Sequence, residues 1–263
     1  MDLKLRGKRA LVTGSTAGIG FAIAKGLAQE GAAVVVNGRT EAKVNDAVTR
    51  AAKETGGSVT GIAGDVGSAA EVNHLLAQLG PVDILINNAG IFEPKPFAEI
   101  PDSEWLRFFE VNVMSGIRLS RALLPHMLAK KWGRIIFISS ESGLNIPAEM
   151  VHYGMTKTAQ LAISRGIAES IPGTGVTVNA VLPGPTLTEG VSAFVESLAK
   201  DRGIGVEEMA EEVIKTLRPS SLIKRWATPE EVASPVVYLC SEAASATTGA
   251  AIRVDGGVVR SIG

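Results

Sequence analysis

Short runs of Val, Ile, Leu and Ala alternate along the chain with longer stretches in which apolar residues recur every three or four positions. The first pattern predicts strands and the second predicts amphipathic helices. Strands are expected over residues 9–13, 33–37, 58–63, 83–86, 134–139, 176–181 and 250–254. Helices are expected between them, over 18–30, 41–53, 69–79, 102–130, 151–170 and 229–241. Apolar runs without strict alternation describe strands buried on both faces, and the strand–helix alternation describes βαβ units on a parallel sheet. The expected fold is therefore α/β, a single-domain doubly wound parallel sheet of about seven strands with helices on both faces. No repeat, low-complexity tract or linker divides residues 1–263. One segment breaks the rhythm: residues 188–225 carry no strand pattern but two helical pieces, 191–200 and 206–217. An excursion of this length after the sixth strand reads as a helical substrate lid at the ligand-binding end of the sheet.

Composition narrows the function classes. The 263 residues are 46% hydrophobic and 20% charged, enough to bury a substantial core. Lys and Arg total 26 against 27 Asp and Glu, so the chain has no electrostatic footprint for nucleic acid. Cys240 stands alone, which excludes an internal disulfide framework and fits a reducing compartment. No uncharged apolar run is long enough to span a membrane, and the charged first residues do not form a signal peptide, so a cytoplasmic setting is expected. No His, Cys and Asp cluster has metal-ligand spacing, so no metal centre is expected. His74 and His126 read as surface residues of helices.

The first strand ends in Thr13-Gly-Ser-Thr-Ala-Gly-Ile-Gly20 and a helix begins at once. Glycines let a backbone approach a pyrophosphate closely, and the helix N-terminus offers free N–H groups with a partial positive charge. This strand–turn–helix context predicts a dinucleotide cradle at Gly14, Ser15, Thr16, Gly18, Ile19 and Gly20. Tyr153 and Lys157, four apart on a predicted helix, share one face.

Together with Asn87-Asn-Ala-Gly90, Tyr153-Gly-Met-Thr-Lys157, Pro183-Gly184 and Val254-Asp-Gly-Gly257, the glycine spacing resembles the short-chain dehydrogenase/reductase family over essentially the whole chain. The likeness is to its 3-oxoacyl reductase-like and carbonyl reductase-like members, and it implies a Rossmann-type fold. It also implies that Asp65 and Val66 contact adenine and that Asn88, Ala89 and Gly90 lie against the cofactor. Without it, Asp65 would read as a helix cap and Asn87 as structural. Pro183, Gly184, Thr186 and Thr188 would hold the carboxamide end. At the second strand's end, Asn37-Gly38-Arg39 has Gly38 where related NAD enzymes carry Asp. An acid there bonds the ribose 2′-hydroxyl and repels a 2′-phosphate, whereas the Arg39 guanidinium can grip that phosphate bidentately. Ala17, where many NADP-preferring relatives carry a base, points the other way. NADP(H) is the expected cofactor in preference to NAD(H).

The resemblance assigns the catalytic set to Asn112, Ser140, Tyr153 and Lys157. Ser140, thirteen residues before Tyr153, is preferred over Ser139 and Ser142 for the substrate hydrogen bond. A free phenol has a pKa of about 10, which a nearby ammonium and an oxidised nicotinamide would lower. Tyr153 would then exchange a proton with the substrate oxygen, and Asn112 would loosen its helix and join Lys157, through a water, to a proton relay. The expected reaction is reversible reduction of a carbonyl compound to a secondary alcohol. An NAD-dependent alcohol dehydrogenase and a 3-oxoacyl thioester reductase are the alternatives of the same class. A cofactor-sensing binding module would have no use for the catalytic set, and an epimerase of the extended relatives lacks its glycine spacing here. Ile91, Phe92, Leu144, Ile146 and Met150 are expected to form an apolar substrate wall, with His152 turned about 100° from Tyr153. A homotetramer is expected, with Trp105, Phe108 and Phe109 as anchors.

Overall fold

The structure is a computed structural model and describes residues 2–262. Seven strands form one parallel sheet: β1 (Arg9–Val12), β2 (Ala33–Gly38), β3 (Val59–Ala63), β4 (Ile84–Asn87), β5 (Gly133–Ile138), β6 (Val176–Pro183) and β7 (Ala251–Val254). Their order is β3-β2-β1-β4-β5-β6-β7, so the chain winds outward from β1 in both directions. Parallel pairing sets Leu11 beside Val35 on one side and Leu85 on the other. All strand C-termini therefore reach one edge, and the winding reverses between β1 and β4, where such sheets form their ligand crevice.

Side chains alternate across the sheet because successive Cβ atoms point to opposite faces. Ala10, Val12, Val34, Val36 and Ile84 enter one core beneath α1 (Gly18–Gln29) and α9 (Pro229–Leu239). Leu11, Val35, Leu85 and Ile135 enter the other, beneath α3 (Ala69–Leu79), α5 (Ser115–Lys130) and α6 (Val151–Ser170). Every residue of β4, β5 and β6 is buried, which is why apolar side chains occupy both faces of these strands. Helix α2 (Glu41–Thr55) covers β2 and β3.

The helix expected over 102–130 is interrupted. It consists of α4 (Asp102–Phe109), a π-helical turn (Glu110–Met114) and α5. A π turn loosens the regular backbone ladder, and the Asn112 carbonyl inside it accepts from Gln160 Nε2 at 2.6 Å. The excursion holds α7 (Glu189–Arg202) and α8 (Val206–Leu217), packed around a separate core of Val195, Ala199, Met209 and Val213 with Trp226 against it. Of the expected subunit anchors, Phe108 is fully buried, its ring 4.0 Å from that of His152, and it has no surface for a partner. Trp105 packs edge-on to Phe97 and His152, while Phe109 remains exposed.

Candidate active site

Three short contacts explain the loop after β1. A Cβ on Gly20 would stand 2.4 Å from Asn88 Nδ2 and 2.5 Å from the Gly14 carbonyl, so a side chain there would close the cradle. Gly18 has φ +56°, in the left-handed region that glycine adopts freely. Gly14 packs against Ala89, and the Asn88 amide donates to the Thr13 and Gly14 carbonyls at 2.9 Å each, tying the ends of β1 and β4 together. Ser15 is wholly buried: its hydroxyl donates to the Val12 carbonyl and its N–H to the Asn37 carbonyl, so it shapes the loop from behind. Ala17 provides no side-chain cap for α1. Instead the Gly18 N–H donates to Glu189 Oε2, 2.8 Å away, from the first turn of α7. A carboxylate seated on that N–H is an anion where a phosphate would bind. The cradle and its donors fit a dinucleotide pyrophosphate.

At the neighbouring strand ends, a Cβ on Gly38 would lie 2.5 Å from Thr16 Cγ2, so a side chain at this position would require Thr16 to shift. Arg39 is exposed and makes no hydrogen bond or ion pair. Arg50, which the sequence did not flag, donates to the Thr16 carbonyl at 2.9 Å and lies 4.3 Å above the Phe21 ring. Asp65 is no helix cap. Ser68 caps α3, while the Asp65 carboxylate accepts from the Gly67 N–H at 2.9 Å. Val66 is buried beside it, and Asn87 is structural, donating to Ser120.

Across the crevice, α6 brings Tyr153 and Lys157 to the end of β5. Tyr153 and Ser140 both line the cavity there, and the Lys157 ammonium lies 5.5 Å from the Tyr153 ring centre. Lys157 is buried, donating to the Ile138 carbonyl at 2.9 Å and to Gln160 Oε1 at 3.4 Å. Burial pulls its pKa down to about 8. Burial also dominates at Tyr153 and pushes the phenol up to about 12, against the neighbouring Ser140 hydroxyl and the Arg218 charge, which favour ionisation. The lowering expected from a neighbouring ammonium does not operate in the chain by itself, because that ammonium is directed at Ile138 and Gln160. Tyr153 here is a neutral phenol.

Asn112 holds the loop after β4, accepting from the Ile91 N–H at 2.7 Å and donating to the Ile91 carbonyl and Thr156 hydroxyl. Its own carbonyl meets Lys157 through the Gln160 amide, which donates to one and accepts from the other. Sequence reasoning placed a water there. Nothing but the i, i+3 spacing from Lys157 singles out Gln160.

These residues surround a cavity of about 460 Å³ whose wall includes Gly18, Ile19, Gly20, Asn88, Gly90, Ser140, Tyr153, Lys157, Pro183, Gly184, Thr186 and Thr188. Gly14, Ser15, Thr16, Arg39, Asp65, Val66, Ala89 and Asn112 lie behind or outside that wall. Gly184 abuts the Asp255 backbone, where a Cβ would be 2.6 Å from its carbonyl, so the Pro-Gly and Asp-Gly-Gly segments support one another. Ile91, Phe92 and Met150 line the cavity as expected, with Val191, Ile214 and Trp226 of the excursion and its end. Leu144 and Ile146 do not; they are 48% and 44% exposed. His152 is buried behind α6 against Phe108 and Trp105, and desolvation lowers its pKa. The wall is also less apolar than expected, since Glu141, Glu149 and Arg218 belong to it.

Among known proteins, the family model described as enoyl-(acyl carrier protein) reductase matches residues 14–259. The chain belongs to the short-chain dehydrogenase/reductase family. Uncharacterized oxidoreductase YvaG of Bacillus subtilis is 51% identical, with both chains covered fully. D-beta-hydroxybutyrate dehydrogenase of Cupriavidus necator is 38% identical, over 97% of this chain and 99% of the relative. L-Sorbose reductase of Gluconobacter frateurii, solved with NADPH and L-sorbose, superposes over the whole of both chains at a TM-score of 0.93 and 34% identity. This short-chain dehydrogenase/reductase is thus an NAD(P)-dependent oxidoreductase acting on CH–OH or C=O groups. Among its described residues no group of His, Cys, Asp and Glu converges as a metal site, and no helix is long and apolar enough to cross a membrane.

Proposed function

We propose that this enzyme reduces a ketone reversibly to a secondary alcohol with NADP(H), and that Tyr153 supplies the proton. The observation that carries the reading is that Ser140, Tyr153 and Lys157 line one cavity continuous with the glycine cradle. The bound dinucleotide would supply hydride. The chain's own residues do the rest: Ser140 and Tyr153 hold the substrate oxygen, and Tyr153 gives its proton as charge grows there. A phenol kept protonated by burial suits that direction. Lys157 presents a positive charge to the Tyr153 ring, and Asn112 and Gln160 fix where that charge sits. NADP(H) is favoured because Gly38 carries no acidic side chain to repel a 2′-phosphate and the exposed Arg39 stands beside it, with Arg50 close by. The L-sorbose reductase solved with NADPH supports the same pairing of cofactor and carbonyl substrate. Assembly as a homotetramer belongs to this proposal, with Leu106 and Phe109 as the exposed apolar residues of α4.

Tyr153→Phe tests the reading. The variant is expected to melt like the parent and to bind NADPH, but to reduce ketones at least about 100-fold more slowly, the scale of a lost general acid. Near-normal turnover would remove Tyr153 from proton transfer.

A further inference from the structure

The turn that carries Ser140 is held from two sides. Toward α6, the Ser139 hydroxyl donates to the Lys157 carbonyl and the Thr158 hydroxyl to the Gly143 carbonyl, both at 2.8 Å. Within the turn, the Ser142 N–H donates to the Ser140 hydroxyl oxygen at 3.1 Å. That bond occupies an acceptor position and leaves the Ser140 proton free to be donated, so the place of residue 142 sets where the proton can point. The other side is held by the excursion. Glu141, between these serines in the 3₁₀ turn Glu141–Gly143, is 3% exposed, and its Oε1 accepts from Arg218 Nε at 2.7 Å. Its Oε2 has no donor, so Arg218 is the one cation paired with this buried carboxylate among the described residues. Arg218, directly after α8, also reaches Glu149 at 3.5 Å, in the 3₁₀ turn Ala148–Met150 that leads into α6 and Tyr153. No other ion pair among the described residues joins the excursion to either turn.

We propose that Arg218 is a positioning residue: by gripping Glu141 from the end of α8 it holds the turn that aims the Ser140 hydroxyl, so that this hydroxyl is in place only while the excursion is packed. The task of Ser140 comes from the ketone-reducing reading, on which the proposal rests. A forked guanidinium suits the work, because Nε and Nη1 hold two turns in one fixed plane where an ammonium would offer a single point charge. Removing one partner of a buried pair leaves the other charge uncompensated, so the excursion cannot leave Glu141 behind without penalty. Burial raises the Glu141 pKa against the Arg218 charge, as befits a carboxylate that depends on its partner. The excursion has its own core of Val195, Ala199, Met209 and Val213 and carries Arg218 at the end of that unit. The packing of α7 and α8 thereby reaches the end of β5, 77 residues away, through one side chain.

Two measurements test this. The first is amide hydrogen exchange of the full chain. Arg218→Met should speed exchange at the Ser142 and Gly143 amides at least about tenfold, while the amides of β5 keep their protection. Lys215→Ala, an exposed change on α8, should leave both turns as they are. The second is a double-mutant cycle on kcat with NADPH and either 2,3-butanedione or ethyl acetoacetate. Arg218→Met should lower kcat at least about tenfold in the parent and less than about twofold in Ser140→Ala, because a residue that acts through Ser140 then has nothing left to position. Glu141→Gln combined with Arg218→Met removes both charges, so it folds without an orphaned carboxylate, and it should give the same two results as Arg218→Met alone. Unchanged exchange at the turn, or equal losses of kcat in the parent and in Ser140→Ala, overturns the proposal. If the parent reduces neither ketone, the reaction reading falls, and the exchange measurement alone decides whether Arg218 holds the turn.

Discussion

Lys157 shows how one side chain trades stability for chemistry. Its ammonium is buried at 4% exposure, and desolvation lowers its pKa from 10.5 to about 8. Below about pH 8 the folded chain therefore carries a buried charge at full penalty. Between that value and the unfolded one, the unfolded chain holds a proton that the folded chain releases, so stability rises with pH across the window. Lys157→Met should abolish turnover yet raise the melting temperature near pH 7, by about 1–3 kcal/mol of stability. The advantage should shrink toward pH 10, and calorimetry showing the same margin at both pH values would reject burial as its cause. Arg39 gives the second prediction at this scale. Arg39→Ala should weaken NADPH binding about 10-fold or more, the loss expected for one charge-assisted phosphate contact, and change NADH binding little. Paired fluorescence titrations measure this, and equal losses for both cofactors would end the assignment. Tyr153 and Lys157 were legible in the sequence because helical spacing puts them on one face and they stand in a family motif behind the glycine loop. Gln160, Glu141 and Glu189 were not, because their key partners lie 48, 77 and 171 residues away.

Among the elements, the strands of the sheet centre were the easiest to read, since burial on both faces leaves an apolar run that no amphipathic helix produces. The helix over 102–130 was read as continuous because its composition is helical throughout. Its break depends on a tertiary partner, Gln160 on α6, which takes up the Asn112 carbonyl. Helix pairing brings its own constraint. α1 lies so close to α9 that a Cβ on Gly26 would be 2.8 Å from Val237 Cγ2. Gly26→Ala gains about 1 kcal/mol of helix propensity but overpacks this seam at a cost of about 1–3 kcal/mol. A lowered melting temperature is expected, restored by adding Val237→Ala. If the single variant melts higher than the parent, the two helices are not held at that distance.

Across the whole molecule, the doubly wound parallel sheet and its ligand-binding edge followed from the alternation of strand and helix, whereas the strand order comes from the structure, and the excursion after β6 was visible as an absence of strand pattern. The chemistry of the cavity wall was not visible. The sequence offered its apolar residues, whereas its polarity comes from Glu141 meeting Arg218, two groups that share a corner only once α8 has packed. The same excursion reaches the other half of the site through Glu189, whose carboxylate occupies the Gly18 N–H at 2.8 Å. One N–H cannot serve two anions. A pyrophosphate bound there, as the proposed function requires, would have to displace a carboxylate supplied by the chain itself, and its affinity would be the difference between two occupancies. Under that reading linkage would make the coupling reciprocal: whatever holds Glu189 on the Gly18 N–H would oppose the dinucleotide, and the dinucleotide would oppose that contact by the same factor.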